Sequence, residues 1–352
     1  MEAAANASVD EPLSISLGGY DSAISDAYRR LFPDDPDKSD ELLNWRFHRN
    51  PHGPAKFASA SIADSVVGMI ALVPTRLRNL ADGRLGYQAI DTSVNRLCRG
   101  RGLFVKMGAL AQDPEALGGD VLWGFPNANA APGWYGRLGW VNFGSVPLLI
   151  RPLRSSFILG RIHPKLRCID LPLIGHSRID ALVYSDPTQL AADFDSLWER
   201  VGPDFGIAVD RSGAWMRWRL FDKPGADYRC TGVRKGSNLE AFLAVKVTDK
   251  HGGRLCYVME AISTAERSVD LARLLRAELG RAASLGAEAA LAWCPRSAPN
   301  YRAYRRAGFL PVPPRIRPIE IHFGARALRA EIAAAAGTRD NWYVSFLDSD
   351  TN

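Results

Sequence analysis

The chain has 352 residues, long enough for two domains that each bury a core, and its 47% hydrophobic and 23% charged content excludes a disordered or collagen-like polypeptide. No stretch approaches the roughly 18 to 20 apolar residues of a membrane helix, and the start, MEAAANASVDEP, lacks the basic and apolar segments of a secretory signal. The formal charge of +6, from 44 Lys and Arg against 38 Asp and Glu, suits anionic small molecules better than nucleic acid, since no basic tract interleaved with aromatics occurs.

In chain order, residues 1–12 are expected to be a disordered terminus. Phe57 to Val73 and Leu85 to Thr92 carry the apolar pattern of antiparallel strands, with Asp82-Gly83 as the hairpin turn between them. Leu103, Met107, Leu110 and Ala111 recur at helical spacing. Val121 to Phe125 then reads as a buried strand ended by Pro126, and a short helix around Trp134 to Leu138 stops at Gly139. Val141 to Ile150 is expected as the last strand of this unit. Residues 151–180, rich in Pro and basic side chains, read as a connecting segment, followed by a strand and helix near Ala181 to Val201.

The order then repeats: strands over Asn238 to Val247 and Arg254 to Ala261, a helix from Val269 to Leu285 closed by Gly286, a strand over Ala289 to Cys294, and a helix over Tyr301 to Gly308. The repetition is also visible in single residues. Trp45-Arg46-Phe47 returns as Trp218-Arg219-Leu220 at an offset of 173, and Asp91, Pro126, Tyr135, Arg137 and Gly139 return as Glu260, Pro295, Tyr304, Arg306 and Gly308 at an offset of 169. One shorter loop accounts for the change of offset. The chain is expected to be α/β, with two tandem domains of mixed, mostly antiparallel sheet flanked by helices, residues 13–150 and 181–352. Ala325 to Ala336 reads as a further helix and Trp342 to Leu347 as a closing strand before the acidic end Asp348-Ser349-Asp350.

Between strand and helix of the first unit stands Arg99-Gly100-Arg101-Gly102, followed by Leu103 and Phe104. Glycines let backbone N–H groups converge, and the positive end of the following helix favours a phosphate there. A plain tight turn with solvated arginines has the same sequence. In the second unit the same places hold Ser268, Val269, Asp270 and Leu271, which removes the glycines and sets a carboxylate where a phosphate would lie.

The order strand, strand, Arg-Gly-Arg-Gly, helix, strand, then a Tyr-bearing short helix ending in Gly and an aromatic, resembles the GNAT superfamily of acyl-CoA N-acyltransferases, in its tandem form. Phe104 stands where that family has Gly or Ala. The resemblance implies acyl-CoA, acetyl-CoA or a longer one, as co-substrate, held by Thr92, Ser93, Val94, Arg99, Gly100, Arg101, Gly102, Leu103, Asn127, Asn129 and Tyr135. It implies Tyr135 as general acid to the departing thiolate, while the survival of Tyr304 in the second unit fits equally a tyrosine that only packs the short helix. Asp91 is the candidate base, with His48 and His52 as alternatives, and a base supplied by no side chain is a further possibility. Main-chain N–H groups near Thr92 to Val94 are the candidate oxyanion donors if the strand bulges there. Trp45, His52 and Trp134 are expected at the acceptor site. No metal is expected, because Asn50-Pro51 breaks the helical spacing of His48 and His52.

The acceptor is expected to be the amine of a small molecule, preferably a nucleotide-linked amino sugar of polysaccharide synthesis, by resemblance to sugar N-acyltransferases. A drug, peptide or polyamine amine is the alternative, and a non-catalytic acyl-CoA-binding module is the alternative of another class. The scattered cysteines Cys98, Cys168, Cys230, Cys256 and Cys294 read as reduced thiols, which with the missing signal makes the cytoplasm the expected location, with no membrane or nucleic-acid partner.

Overall fold

A computed structural model describes residues 12–80, 83–175, 177–313, 315, 317 and 321–349. It divides into two units, residues 1–145 with 321–341, and residues 146–320 with 342–350.

In the first unit β1 (Leu13–Gly18) leads into α1 (Ser22–Leu31), whose N-terminus is capped by the Asp21 side chain and whose buried face is Ile24, Ala27 and Tyr28. Helix α2 (Asp40–Phe47) follows, capped by Ser39 and with Asp40 and Glu41 in its first turn, where carboxylates oppose the helix dipole. Then come β2 (Lys56–Ile62), β3 (Ser65–Arg78), β4 (Leu85–Val94), α3 (Leu103–Ala111), the one-turn α4 (Pro114–Leu117), β5 (Val121–Gly124), a π-helical segment over Pro132–Arg137 and β6 (Val141–Ser145). The apolar run from Phe57 to Val73 is thus a hairpin, turned at Ala63 and Asp64, both at positive φ (46° and 61°). The strands lie in the order β1-β2-β3-β4-β5, then the strand His322–Ala327, then β6. One apolar cluster packs α3 and the segment Trp134–Trp140 on one set of sheet residues, and a second packs α1 and α2 on residues that include Phe57, Met69, Ala71 and Ile90.

The second unit begins with β7 (Leu148–Pro152), α5 (Ser155–Ile162), β8 (Leu182–Val183), α6 (Pro187–Val201), β9 (Ala208–Val209) and α7 (Gly213–Leu220). It continues with β10 (Arg229–Lys235), β11 (Asn238–Lys250), β12 (Gly253–Ser263), α8 (Ser268–Ser284), β13 (Ala289–Trp293), α9 (Tyr301–Arg306) and β14 (Leu310–Pro311). Its sheet has the order β14-β7-β13-β12-β11-β10-β8. Leu271, Leu274, Leu275, Leu279 and Ala282 of α8 supply its core, and the helix ends before Gly286 at φ 87°. The offsets hold to the residue: α2 maps onto α7 at 173, and Pro132–Arg137 onto α9 at 169.

Several expected elements differ. Val141 to Ile150 is not one strand: Val141–Ser145 pairs in the first unit's sheet, while Leu148–Pro152 pairs with β13 and β14 of the second. Conversely β15 (His322–Ala327), which follows the second copy in sequence, pairs between β5 and β6 of the first unit. The alanine-rich run from Ala325 is therefore strand first and helical only at Ala333–Ala336 (α10). Trp342 to Leu347 forms no strand beyond a single bridge at Trp342, because Tyr343, Ser345 and Asp348 turn their side chains onto Glu260 and Arg211. The segment 151–180 opens with the end of β7 and contains α5. The expected disorder of residues 1–12 falls, apart from Pro12, outside the described residues, as do Asp82 of the expected turn and Asp350.

Candidate functional site

The site in the first unit starts from two strands that part. β4 pairs in parallel with β5 only from Gly86 to Gln88, opposite Val121 to Trp123, yet continues to Val94. Gly124 lies where an added Cβ would stand 2.9 Å from the Ala89 carbonyl, so the backbones touch at the fork. Past the fork β4 bulges: Ile90 opposes Ala71 and Ser93 opposes Met69, leaving Asp91 and Thr92 against one residue, with Asp91 at φ 48°. Among the described residues, the edge of Thr92, Ser93 and Val94 that faces away from β3 has no partner strand.

The glycine loop follows. Gly100 and Gly102 have φ of 80° and 72°, the region where a side chain is strained, and a Cβ on either would meet nothing within 4 Å, so the loop borders open space. Gly102 is the N-cap of α3 without a side-chain bond, and Leu103 is buried beneath it. The first backbone bond into the helix is Lys106 N–H to the Gly102 carbonyl, at 3.0 Å, and among the described residues no acceptor takes the N–H groups of Gly100 to Val105. Arg99 donates from Nε to the Val94 carbonyl at 3.3 Å, tying the loop to the end of β4, and Arg101 is exposed. Phe104 fits because Gly133 makes room for it, and its ring meets Trp134 edge-on at 5.2 Å.

Tyr135 lies in the π-helical segment, with Gly324 of β15 directly against its ring. Its hydroxyl is buried and has no hydrogen-bond partner, and burial pushes its pKa up to about 12. The phenol therefore stays protonated at neutral pH. His322 of β15 has its ring 6.4 Å from that of Tyr135. Arg326 of the same strand donates to the Gly139 carbonyl at 2.9 Å, placing a cation at the C-terminal end of the segment that holds Tyr135.

The other expected residues fall elsewhere. Asp91 has both oxygens engaged: Lys38 Nζ lies 2.5 Å from Oδ1, the Tyr28 hydroxyl donates to Oδ2 at 2.9 Å, and Arg46 Nη1 stands 3.7 Å away. Burial, then Asp91, push Tyr28 well above the usual phenol value. This carboxylate ties α1 and α2 to the bulge. His48 is exposed and packs edge-on against Tyr20 at 5.3 Å. His52 accepts from the Arg76 N–H at 3.2 Å, and Asn50 donates to the Pro74 carbonyl at 2.9 Å, so this motif pins β3. Trp45 and Trp134, expected to face the acceptor, are core side chains, each only 2% exposed. Asn127 and Asn129 are exposed, and the Asn127 side chain accepts from the N–H groups of Asn129 and Ala130, which fixes the turn after β5.

The second unit repeats the fork and fills it. β12 pairs with β13 only as far as Val258 and Ala292, then runs on to Ser263. Beyond the fork Asn300 donates to the Ala261 carbonyl at 2.6 Å and to the Tyr343 hydroxyl at 3.1 Å, while Cys294 Sγ lies 3.3 Å from its Oδ1. The residue in the place of Asn300 in the first unit is Ala131. No glycine loop precedes α8. The helix starts at Ser268, and Asp270 in its first turn is paired with Arg267 at 3.1 Å. The counterpart of Lys38–Asp91 is Arg211–Glu260, wholly buried at 2.6 Å, to which the C-terminal segment adds Asp348 at 2.7 Å from Arg211. Burial alone would lower the Arg211 pKa, but Asp348 and Glu260 raise it instead.

No family model and no curated protein sequence matches the chain. Solved structures do. A GCN5-related N-acetyltransferase from Anabaena variabilis superposes with a TM-score of 0.62 at 10% identity, over 92% of this chain and 75% of that one. A protein of unknown function from Enterococcus faecalis, described as a probable N-acyltransferase, gives 0.60 at 10% identity over 91% and 74%. The N-myristoyltransferase of Saccharomyces cerevisiae, solved with bound myristoyl-CoA, gives 0.56 at 11% identity over 92% and 88%. This chain has their fold. Lys38, Tyr28 and the β15 residues His322 and Arg326 went unnoticed in the sequence reading. The exchange of β15 has no local sequence signal, whereas Lys38 matches Arg211 at the same offset of 173 as the Trp-Arg motif.

Proposed function

We propose that the chain is an acyl-CoA-dependent N-acyltransferase with its co-substrate site in the first unit, and that the second unit keeps the fold without the site. The observation that carries this reading is the unpaired run of N–H groups from Gly100 to Val105 at the start of α3, beside strands that part after Gln88. The residues fit a pyrophosphate: positive-φ glycines border open space, and the exposed Arg99 and Arg101 flank them. Gly100 to Leu103 would hold the phosphates, and Thr92 to Val94, Asn127 and Asn129 would line the arm.

The bound thioester supplies the activated acyl group. The residues of the chain then do three things. The free edge of Thr92 to Val94 presents main-chain donors to a carbonyl oxygen. Tyr135 holds a proton on a hydroxyl that no other group occupies, available to a departing sulfur. Asp91, clasped by Lys38 and Tyr28, keeps the bulge in place, so the amine loses its proton to solvent or to a group the acceptor brings close.

The preferred acceptor is the amine of a small molecule, a nucleotide-linked amino sugar first, with drug, peptide or polyamine amines as alternatives. The excess of arginine supports an anionic acceptor. Purified protein incubated with acetyl-CoA or myristoyl-CoA and a panel of these amines, with free thiol followed, tests the proposal. Thiol release that depends on one class of amine is expected. Tight CoA binding without release for any amine supports a binding module instead, and no thermal shift with CoA removes both readings.

A further inference from the structure

Five of the eleven exposed large apolar side chains among the described residues lie within one short stretch: Ile158 and Ile162 on α5, then Ile169, Leu171 and Leu173. Ile162 is 70% and Leu171 62% exposed, in a chain that buries most of its other isoleucines and leucines. Ile158 and Ile162 share a helix face at four-residue spacing, and the other three follow at the two-residue spacing of extended chain. The stretch is tied down: Ser155 N–H bonds the Leu171 carbonyl and Leu173 N–H the Leu153 carbonyl, both at 2.8 Å.

Its remaining charge is positive. Between Ile158 and Leu173 the single acid Asp170 is neutralised by Arg154 through two bonds of 2.8 Å and Arg167 is paired with Glu288 at 2.5 Å, which leaves Arg161 and Lys165 as cations without an acidic partner among the described residues. Arg161 lies over the Phe157 ring at 3.7 Å, and Lys165 is exposed. A symmetric contact with a second copy would set these cations against their own kind. A water-facing role leaves the apolar side chains unexplained. Basic side chains interleaved with exposed isoleucine and leucine match an anionic bilayer surface, where the apolar groups enter the headgroup boundary and the cations meet lipid phosphates.

We propose that residues 155–173 dock the protein on anionic membrane surfaces. The contact is peripheral, since among the described residues no helix is long and apolar enough to cross a membrane. The full chain is sedimented with vesicles of phosphatidylcholine alone and of phosphatidylcholine with about one third phosphatidylglycerol. Binding to the anionic vesicles, weakened by high salt, is expected. Ile162→Glu with Leu171→Glu lowers that binding by about tenfold or more, with an unchanged thermal midpoint because both side chains are exposed. Equal binding to both vesicle types, no binding to either, or unchanged binding by the folded double variant overturns the proposal. So does a dimer in sedimentation that the double variant splits, with no vesicle binding by the parent.

Discussion

The two units answer the same sheet fork in opposite ways. In the first, the space past the fork is bordered by a glycine loop with free N–H groups, and the equivalent of the bridging Asn300 is Ala131, too short to span it. In the second, Asn300 contacts both Tyr343 and Cys294 across it, and α8 carries a carboxylate in its first turn. The acid on the bulge is kept in both, as Asp91 with Lys38 and as Glu260 with Arg211. This shared acid is thus a strut, while the glycine loop and the open fork are confined to the first copy. The tyrosine is shared, as Tyr135 and Tyr304, each with a buried hydroxyl that has no hydrogen-bond partner, so turnover must separate a proton donor from a packing residue.

Four pairs of substitutions sharpen this contrast. The largest effect is expected at the strut of the second unit. Arg211→Met leaves Glu260 and Asp348 buried without their cation and costs about 3–5 kcal/mol, read by urea unfolding. Lys38→Met costs less, since Asp91 keeps Tyr28 and Arg46 beside it. Equal losses would break the view that the second unit's strut is the more sealed.

Next comes Tyr135→Phe, expected to lower kcat by about a hundredfold with CoA affinity unchanged, while Tyr304→Phe leaves turnover as it was. Because burial lifts the Tyr135 hydroxyl to about 12, its deprotonation lies beyond the range of ordinary assays, and any alkaline fall in rate at lower pH belongs to another group. Loss of turnover in both variants would reduce Tyr135 to a packing residue.

Gly102→Val forces a β-branched residue to φ 72° and should cost about 1–2 kcal/mol of local strain, about tenfold in CoA affinity if the loop relaxes away from its present shape. Val269→Gly, at the place of Gly100 in the second unit, should not change CoA affinity. The smallest effect is at the exchanged strands. Arg326→Met and Arg151→Met each remove a cation from the end of the corresponding short helix, at the Gly139 and Ala307 carbonyls, for about 0.3–1 kcal/mol. Thermal midpoints would show it, and only Arg326→Met is expected to touch turnover as well, through Tyr135.

Much of the architecture is legible in the chain. The apolar spacing and closing glycine of α8, the short helices before Gly139 and Gly308, and the repeat offsets follow from local rules of periodicity and capping. The glycine loop and Tyr135 stand out only through the family resemblance of the element order, since local rules alone read them as a tight turn and a packing residue. What local rules do not contain is which sheet a short apolar strand joins. Leu148–Pro152 and His322–Ala327 each pair with the unit remote in sequence, and alanine in the latter favours helix until two neighbouring strands override it. The same limit hid His322 and Arg326. Trp45 and Trp134 were misplaced because an aromatic serves a core and a binding face equally well from sequence alone.

Amide hydrogen exchange with and without CoA tests the central claim most directly. The N–H groups of Gly100 to Val105 should exchange fast in the free protein and become protected on CoA addition, with no change at Ser268 to Leu271. Protection at the start of α8, or none at the glycine loop despite measurable CoA binding, would contradict the account.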